Sequence, residues 1–183
     1  RLALAIFAGL SVIAGMAVFD TIRETDVTSL VSEFDNISKG YTNYTFDTGI
    51  DIPEPASGDG EGFEGLYEPT GTSGSGDPTP LGWSGPYITR SSNEHPKFGV
   101  YEIDFGPIDT AVADPVAATE TDLNGAWLTL TSVPCEIIKD VDTTVDGSGI
   151  AEADRPLNGN VRFPATCDSG TSTKLFYLLS RSM

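Results

Sequence analysis

The sequence has few of the residues from which active sites and metal sites are usually built. Of its 183 residues, one is histidine and two are cysteine. His95 therefore has no second histidine with which to form a zinc site, and a catalytic triad has little to draw on. The acidic residues of the glycine-rich stretch GDGEGFEG would repel phosphate, and its spacing is not that of a nucleotide-binding loop. We predict no catalytic residue, no enzymatic activity and no cofactor other than the calcium considered below.

Positive charge is also scarce. The chain has 10 Lys and Arg against 27 Asp and Glu, which gives a net charge of −17 and a sequence pI of about 4.1. Nucleic acids are bound through clustered Lys and Arg, and anionic lipid headgroups attract the same residues. The composition therefore predicts no nucleic-acid partner and no docking on an anionic headgroup layer. It fits a surface that repels its own copies or faces salty water.

One long uncharged run opens the sequence. Residues 2–19, LALAIFAGLSVIAGMAVF, contain no charged side chain. As a helix they would span about 27 Å, close to the thickness of a bilayer core. They show no clear A-x-A cleavage site of a secretory signal. The run is interpreted as a signal peptide, as a plain transmembrane anchor, or as a helix that is first an anchor and later the core of a polymer.

Helical periodicity continues beyond this run. Five apolar or aromatic residues recur at alternating spacings of four and three, which places them on one face of an α-helix: Leu30, Phe34, Ile37, Tyr41 and Tyr44. We predict one helix from about residue 2 to residue 44, roughly 65 Å long. Gly40 is its weak position, at a cost of about 1 kcal/mol relative to Ala. We expect the five residues to pack on a globular head, and we predict that no other part of the chain is left to bury the first half.

The composition changes after Tyr44. Residues 49–86 are rich in Gly, Pro, Ser, Thr and acidic residues, and aromatic residues among them favour an ordered loop over a disordered linker. Apolar patterns then predict strands at 99–106, 126–133, 160–164 and 174–180, and a short helix at 136–141. We expect an α+β fold with three parts: the long helix over 1–45, a loop region over 46–98, and an antiparallel β-sheet head over 99–183.

The two cysteines are expected to pair. Cys135 and Cys167 both lie in the C-terminal third, and an even number of cysteines in an exported protein suggests a disulfide. Closing a loop of this length would stabilise the head by roughly 3–4 kcal/mol on the chain-entropy model. Two unrelated reduced cysteines are the alternative.

Two further patterns indicate candidate ligand or modification sites. Asp140, Asp142 and Asp146 lie within seven residues and carry oxygens of the kind that calcium prefers, although they lack the order of an EF-hand. A solvated turn with capping aspartates is the other interpretation. Asn36 and Asn43 each open an N-x-Ser/Thr sequon, and Asn43, near the predicted helix end, is the better candidate for glycosylation.

Residues 1–45 and 125–183 together resemble the type IV pilin family, which includes the pseudopilins of type II secretion. The family has an apolar N-terminal run with a Glu near its start and a Gly nine residues later. This sequence has Gly9 and Gly15 but no Glu in the run, and a Glu just before Arg1 would place Gly9 at the family's position. The stretch from GAWLTLTSVPC to GNVRFPATC resembles the family's strand, Val-Pro turn, Cys-initiated helix, Asp-Gly loop, second strand and second Cys.

This resemblance implies a structural subunit of an extracellular, type IV pilus-like filament. The helix would lie in the inner membrane before assembly and form the filament core afterwards, with copies of the same chain and the pilus assembly machinery as partners. The core-packing residues would be Leu4, Ile6, Phe7, Gly9, Leu10, Val12, Ile13, Gly15 and Phe19. The alternatives are a pseudopilin, which calcium dependence would favour, and a membrane-anchored extracellular binding module with a monomeric head.

Overall fold

The computed structural model describes residues 2–52, 62–69, 80–106, 108–109, 114–115, 125–149, 159–164 and 166–181. Within these ranges, side chains are described for all residues except 2–20, 108–109 and 114–115. The fold is α+β, as predicted, with an N-terminal helix, a C-terminal antiparallel sheet and one disulfide.

The N-terminal helix, α1, is a single element of 47 residues, Leu2–Thr48. It continues four residues beyond the predicted end because the first residue that breaks it is Gly49. This glycine has a φ of +69°, and its N–H donates to the carbonyl of Thr45 at 2.9 Å. A left-handed glycine just after the last turn is a common helix stop, since glycine has no Cβ to strain.

The described residues of the head form two sheets. The strands are β1 (Glu94–His95), β2 (Gly99–Gly106), β3 (Ile108–Asp109), β4 (Asp114–Pro115), β5 (Gly125–Pro134), β6 (Val161–Arg162) and β7 (Ser172–Arg181). The main sheet has the order β1-β2-β5-β7-β6 and is antiparallel throughout, and β3 pairs with β4. The predicted strands are therefore present, each within a few residues of its expected bounds.

The register of the sheet decides which side chains enter the core. Tyr101 pairs with Leu130 and Ile103 pairs with Leu128, and all four are buried in one cluster with the apolar face of α1. The alternate positions of β5 and β7 form a second, smaller cluster of Trp127 and Phe176. Because side chains alternate along a strand, the two clusters lie on opposite faces of the sheet.

Part of the predicted loop region packs on the head. A short 3₁₀ helix, Phe63–Leu66, buries both of its terminal side chains, and the Phe63 ring stacks on Tyr101 at 5.1 Å between centroids. The Trp83 indole N–H donates to the carbonyl of Gly65 at 3.0 Å. These contacts agree with an ordered loop over residues 62–69 and 80–87.

A second helix, α2 (Cys135–Asp146), follows directly on β5. It is longer than the predicted helix at 136–141 and ends at Gly147, which has a φ of +81°. Cys135, its first residue, forms the predicted disulfide with Cys167, with 5.4 Å between their Cα atoms. The strand–helix junction is thereby tied to the turn that precedes β7.

Candidate functional site: helix α1 and its junction with the head

The predicted filament-core residues belong to the first part of helix α1. Leu4 to Phe19 fall in the stretch whose side chains lie outside the described residues, so their packing stays a prediction. Side chains of α1 are described from Thr21 onward. Among the side chains that the structure describes, no helix combines the length and the apolar character needed to cross a membrane.

Among the described side chains of α1, the head covers those from the middle of the helix onward. Residues 21–25 are all exposed, and Val27 is the first buried residue of the described part of the helix. From there, all five predicted packing residues, which we call the stripe, are at most 2% exposed: Leu30, Phe34, Ile37, Tyr41 and Tyr44. The rings of Phe34 and Tyr177 lie 5.1 Å apart, which joins the stripe to strand β7.

A polar cluster fastens the middle of α1 to strand β1. Glu33 forms an ion pair with Arg90, whose guanidinium lies 4.7 Å from the centroid of the Tyr101 ring. The second carboxylate oxygen of Glu33 lies 3.5 Å from Nε2 of His95. One helix carboxylate is thus shared between two groups of the head.

His95 is held neutral in this cluster. Its Nδ1 accepts hydrogen bonds from the backbone N–H groups of Lys97 and Phe98, each at 3.0 Å. The ring proton must therefore be on Nε2, the atom that faces Glu33. Burial lowers the pKa of His95 to about 4, and the nearby charges of Arg90 and Lys97 act in the same direction.

Ion pairs join the head to α1 on the N-terminal side of this cluster, a region that we call the base of the junction. Arg23 Nε lies 2.7 Å from Asp140 Oδ2, and Lys97 Nζ lies 2.5 Å from Asp26 Oδ1. The Arg23, Asp140 and Lys97 side chains are more than one third exposed. Such pairs contribute little to stability, because water and salt screen them.

Near the C-terminal end of α1, which we call the tip, the contacts are of another kind. The Asp47 carboxylate accepts hydrogen bonds from Ser84 Oγ at 2.5 Å and from the Tyr87 hydroxyl at 3.2 Å. A Cβ added to Gly82 would collide with the backbone carbonyl of Asp47. Neutral hydroxyl donors and a close backbone approach therefore fix this end of the helix.

Gly40 permits a second close approach. A Cβ built on it would lie 2.5 Å from Ile88 Cγ2 and 3.0 Å from the carbonyl oxygen of Tyr87. The sequence identified Gly40 only as a weak position in the helix. The structure shows that residues 87–88 lie close against the helix surface at Gly40, because glycine has no side chain there.

The three aspartates of the calcium prediction have separate surroundings. Asp140 pairs with Arg23, and Asp142 is fully buried. Asp146 accepts hydrogen bonds from the backbone N–H groups of Asn160 and Val161, at 2.9 and 2.8 Å. No group of three His, Cys, Asp or Glu side chains that could hold a metal occurs among the described residues. Calcium binding stays a prediction that this arrangement does not support.

The two sequon asparagines lie on one side of α1. Asn36 and Asn43 are both exposed, and both line a groove between the helix and residues 87–90. They are seven residues apart, about 10 Å along the helix axis. Asn43 is exposed, and its glycosylation stays a prediction.

Sequence reasoning missed the polar side of the junction. His95 was noticed as the single histidine, but its contact with Glu33 and the roles of Arg90, Asp47 and Gly82 were not anticipated. Each of these contacts joins α1 to a residue more than thirty positions away, and no local pattern marks such a pair. Comparison of the chain with protein-family models, with curated proteins and with solved structures finds no match to any of them.

Proposed function

We propose that this protein is a structural subunit of an extracellular filament of the type IV pilus kind. Before assembly, the apolar start of α1 would hold the subunit in the membrane, and the head would lie outside the cell. After assembly by a dedicated machinery, the same segments from many copies would pack together as the filament core. The acidic head would then form the filament surface.

The observation that carries this proposal is the division of one continuous helix. Helix α1 begins at Leu2, and among its described side chains residues 21–25 are exposed and Val27 is the first that is buried. Residues 2–19 are uncharged, so as a helix they need an apolar environment. Copies of the same segment, or a lipid bilayer, are the two environments of matching chemistry.

The energy available to a polymer is large. Burial of about 1,000 Å² of apolar surface per subunit contributes about 25 kcal/mol before the cost of ordering is subtracted. The small residues Gly9, Ala14, Gly15 and Ala17 would let neighbouring helices approach closely. The high net negative charge keeps the heads apart, which favours assembly through the helices over association of the heads.

The first test is electron microscopy of filaments sheared from the source cells, with mass spectrometry of their main component. The proposal expects this chain to dominate long filaments. Recovery only as a monomer in the membrane fraction would overturn it in favour of an anchored binding module. Short filaments that require calcium would instead indicate a pseudopilin.

A matched pair of variants tests the role of the first segment. Leu10→Arg places a charge in the uncharged run, and we expect it to abolish filaments, because a buried unpaired charge is costly. Leu10→Ile keeps the size and the apolar character, so it should assemble normally. Removal of residues 1–19 should also abolish filaments. We expect it to leave the melting temperature of the head unchanged, since residues 21–25, which follow the removed segment, are all exposed. Filaments formed by the shortened chain would contradict the proposal.

A further inference from the structure

Both N-x-Ser/Thr sequons of the chain face the same groove. The sequence contains two such sequons, which begin at Asn36 and Asn43. Both asparagines are exposed, and both line a groove of about 520 Å³ between α1 and residues 87–90. Sites for small molecules typically have volumes of about 300–1,000 Å³. The structure therefore places both candidate acceptors beside a space large enough for sugars.

The side chains along this groove suit a carbohydrate. Most of them carry an amide, a hydroxyl group or a charge: Glu33, Asn36, Lys39, Asn43, Thr89 and Arg90. An asparagine amide both donates and accepts hydrogen bonds, and so does a threonine hydroxyl. Sugar hydroxyl groups have the same two capacities, so they can pair with these walls. Tyr87 and Ile88, which also line the groove, offer apolar surface to the C–H face of a sugar ring.

From this juxtaposition we propose that Asn43 carries an N-linked glycan whose first sugars lie in the groove, on the side toward Asn36. Asn43 lies six residues before Gly49, where the helix ends, whereas Asn36 lies two turns further from that end. Helix ends fray, so the Asn43 sequon is the more accessible of the two to an enzyme. This modification goes beyond the filament role and does not depend on it.

The attachment is a group transfer from an oligosaccharide that is activated as a lipid-linked diphosphate. The side-chain nitrogen Nδ2 of Asn43 bonds to C1 of the first sugar, and the bond from C1 to the diphosphate oxygen breaks. The lipid diphosphate leaves with that electron pair, and one amide proton passes to a base of the transferring enzyme. In α1 the side chains of Asn43 and Thr45 point about 200° apart around the axis. An enzyme that must reach both therefore acts before this turn of the helix has formed.

The hydroxyl group of this sequon bonds within its own helix. Thr45 Oγ1 donates to the carbonyl of Thr42 at 3.0 Å. Thr45→Ser keeps both this hydroxyl group and the sequon, whereas Thr45→Ala removes both. The pair of variants therefore separates glycosylated from unglycosylated chains with a minimal change of side chain.

Mass spectrometry of the chain isolated from its source cells tests the attachment. Trypsin cleaves after Lys and Arg, so it separates the two sequons: peptide 24–39 contains Asn36 and peptide 40–90 contains Asn43. We expect peptide 40–90 to be heavier than its sequence by the mass of a glycan. Peptide 40–90 found only at the mass of its sequence would overturn the proposal, and so would a glycan on peptide 24–39 alone.

The variants assign the glycan to one residue. Thr45→Ser should keep the added mass on peptide 40–90, whereas Thr45→Ala and Asn43→Gln should both lose it. A sugar linked to a serine or threonine of the same peptide would persist in Asn43→Gln. That result would also overturn the proposal.

Hydrogen exchange tests the position of the sugars. Sugars in the groove should slow the exchange of the backbone amides of residues 88–90 in the unaltered chain relative to Thr45→Ala. Helix α2 does not line the groove, so its exchange should be equal in the two chains. A glycan on Asn43 with unchanged exchange at residues 88–90 would overturn the placement in the groove. None of these outcomes bears on whether the chain forms filaments.

Discussion

The base and the tip of the junction hold the same helix to the same head by different means. At the base, the contacts are the Arg23–Asp140 and Lys97–Asp26 ion pairs. At the tip, Asp47 accepts hydrogen bonds from two hydroxyl groups, and glycine lets the backbone approach closely. Between them lies the buried apolar stripe. The difference suggests that the position of the head is fixed by the stripe and the tip, while the base adjusts at little cost.

The largest effect is expected in the stripe. Phe34→Ala removes a side chain that is 0% exposed and packs on Tyr177, and should destabilise the head by about 3–5 kcal/mol. Ser32→Ala, at an exposed position on the same helix, should stay within about 0.5 kcal/mol. Urea unfolding followed by tryptophan fluorescence measures both. A small effect of Phe34→Ala would mean that the stripe does not position the head.

The second-largest effect on stability is expected at Gly40, where residues 87–88 lie close against helix α1. Gly40→Ala improves helix propensity by about 1 kcal/mol, yet we expect a net loss of about 1–3 kcal/mol because the new Cβ collides with Ile88. The control Gly149→Ala has no atom within 4 Å of the added Cβ and should change the unfolding free energy by less than about 0.5 kcal/mol. A stabilised Gly40→Ala variant would show that residues 87–88 do not press on the helix.

The polar cluster between base and tip should make stability depend on pH. His95 has a pKa of about 4 in the folded protein against about 6.5 when unfolded, so the unfolded chain binds the proton more tightly. The stability that neutral His95 contributes to the folded state is fully present above pH 6.5 and is lost as the pH falls toward 4. The expected loss is about 2 kcal/mol at pH 5.

Two measurements check this expectation. The chain has one histidine, so its ring protons give a single NMR titration curve, which should have a midpoint well below 6. In the His95→Gln variant, the difference in unfolding free energy between pH 7.5 and pH 5 should shrink, because the titrating group is gone. A midpoint near 6.5 would contradict the burial and the neutral state inferred for His95.

The stripe was predictable and the polar cluster was not, for a physical reason. Leu30, Phe34 and Ile37 follow the helical repeat, so their shared face can be read from spacing alone. The strands 99–106 and 174–180 likewise show in local apolar patterns. Glu33 contacts Arg90 and His95 only when the head packs on the helix. No residue spacing in the sequence encodes these contacts. Gly40 could be recognised as unusual, but its purpose depends on residues 87–88.

The smallest effects separate base from tip by their response to salt. Asp26→Asn removes the ion pair with the exposed Lys97 and should cost less than about 1 kcal/mol in low salt. In 1 M NaCl the Debye length is about 3 Å, so most of this cost should disappear. Asp47→Asn weakens hydrogen bonds from neutral hydroxyl donors, and its cost of about 1 kcal/mol should persist at the same salt concentration. Unfolding curves of both variants at low and high salt decide the matter, since an equal salt response would mean that base and tip are held in the same way.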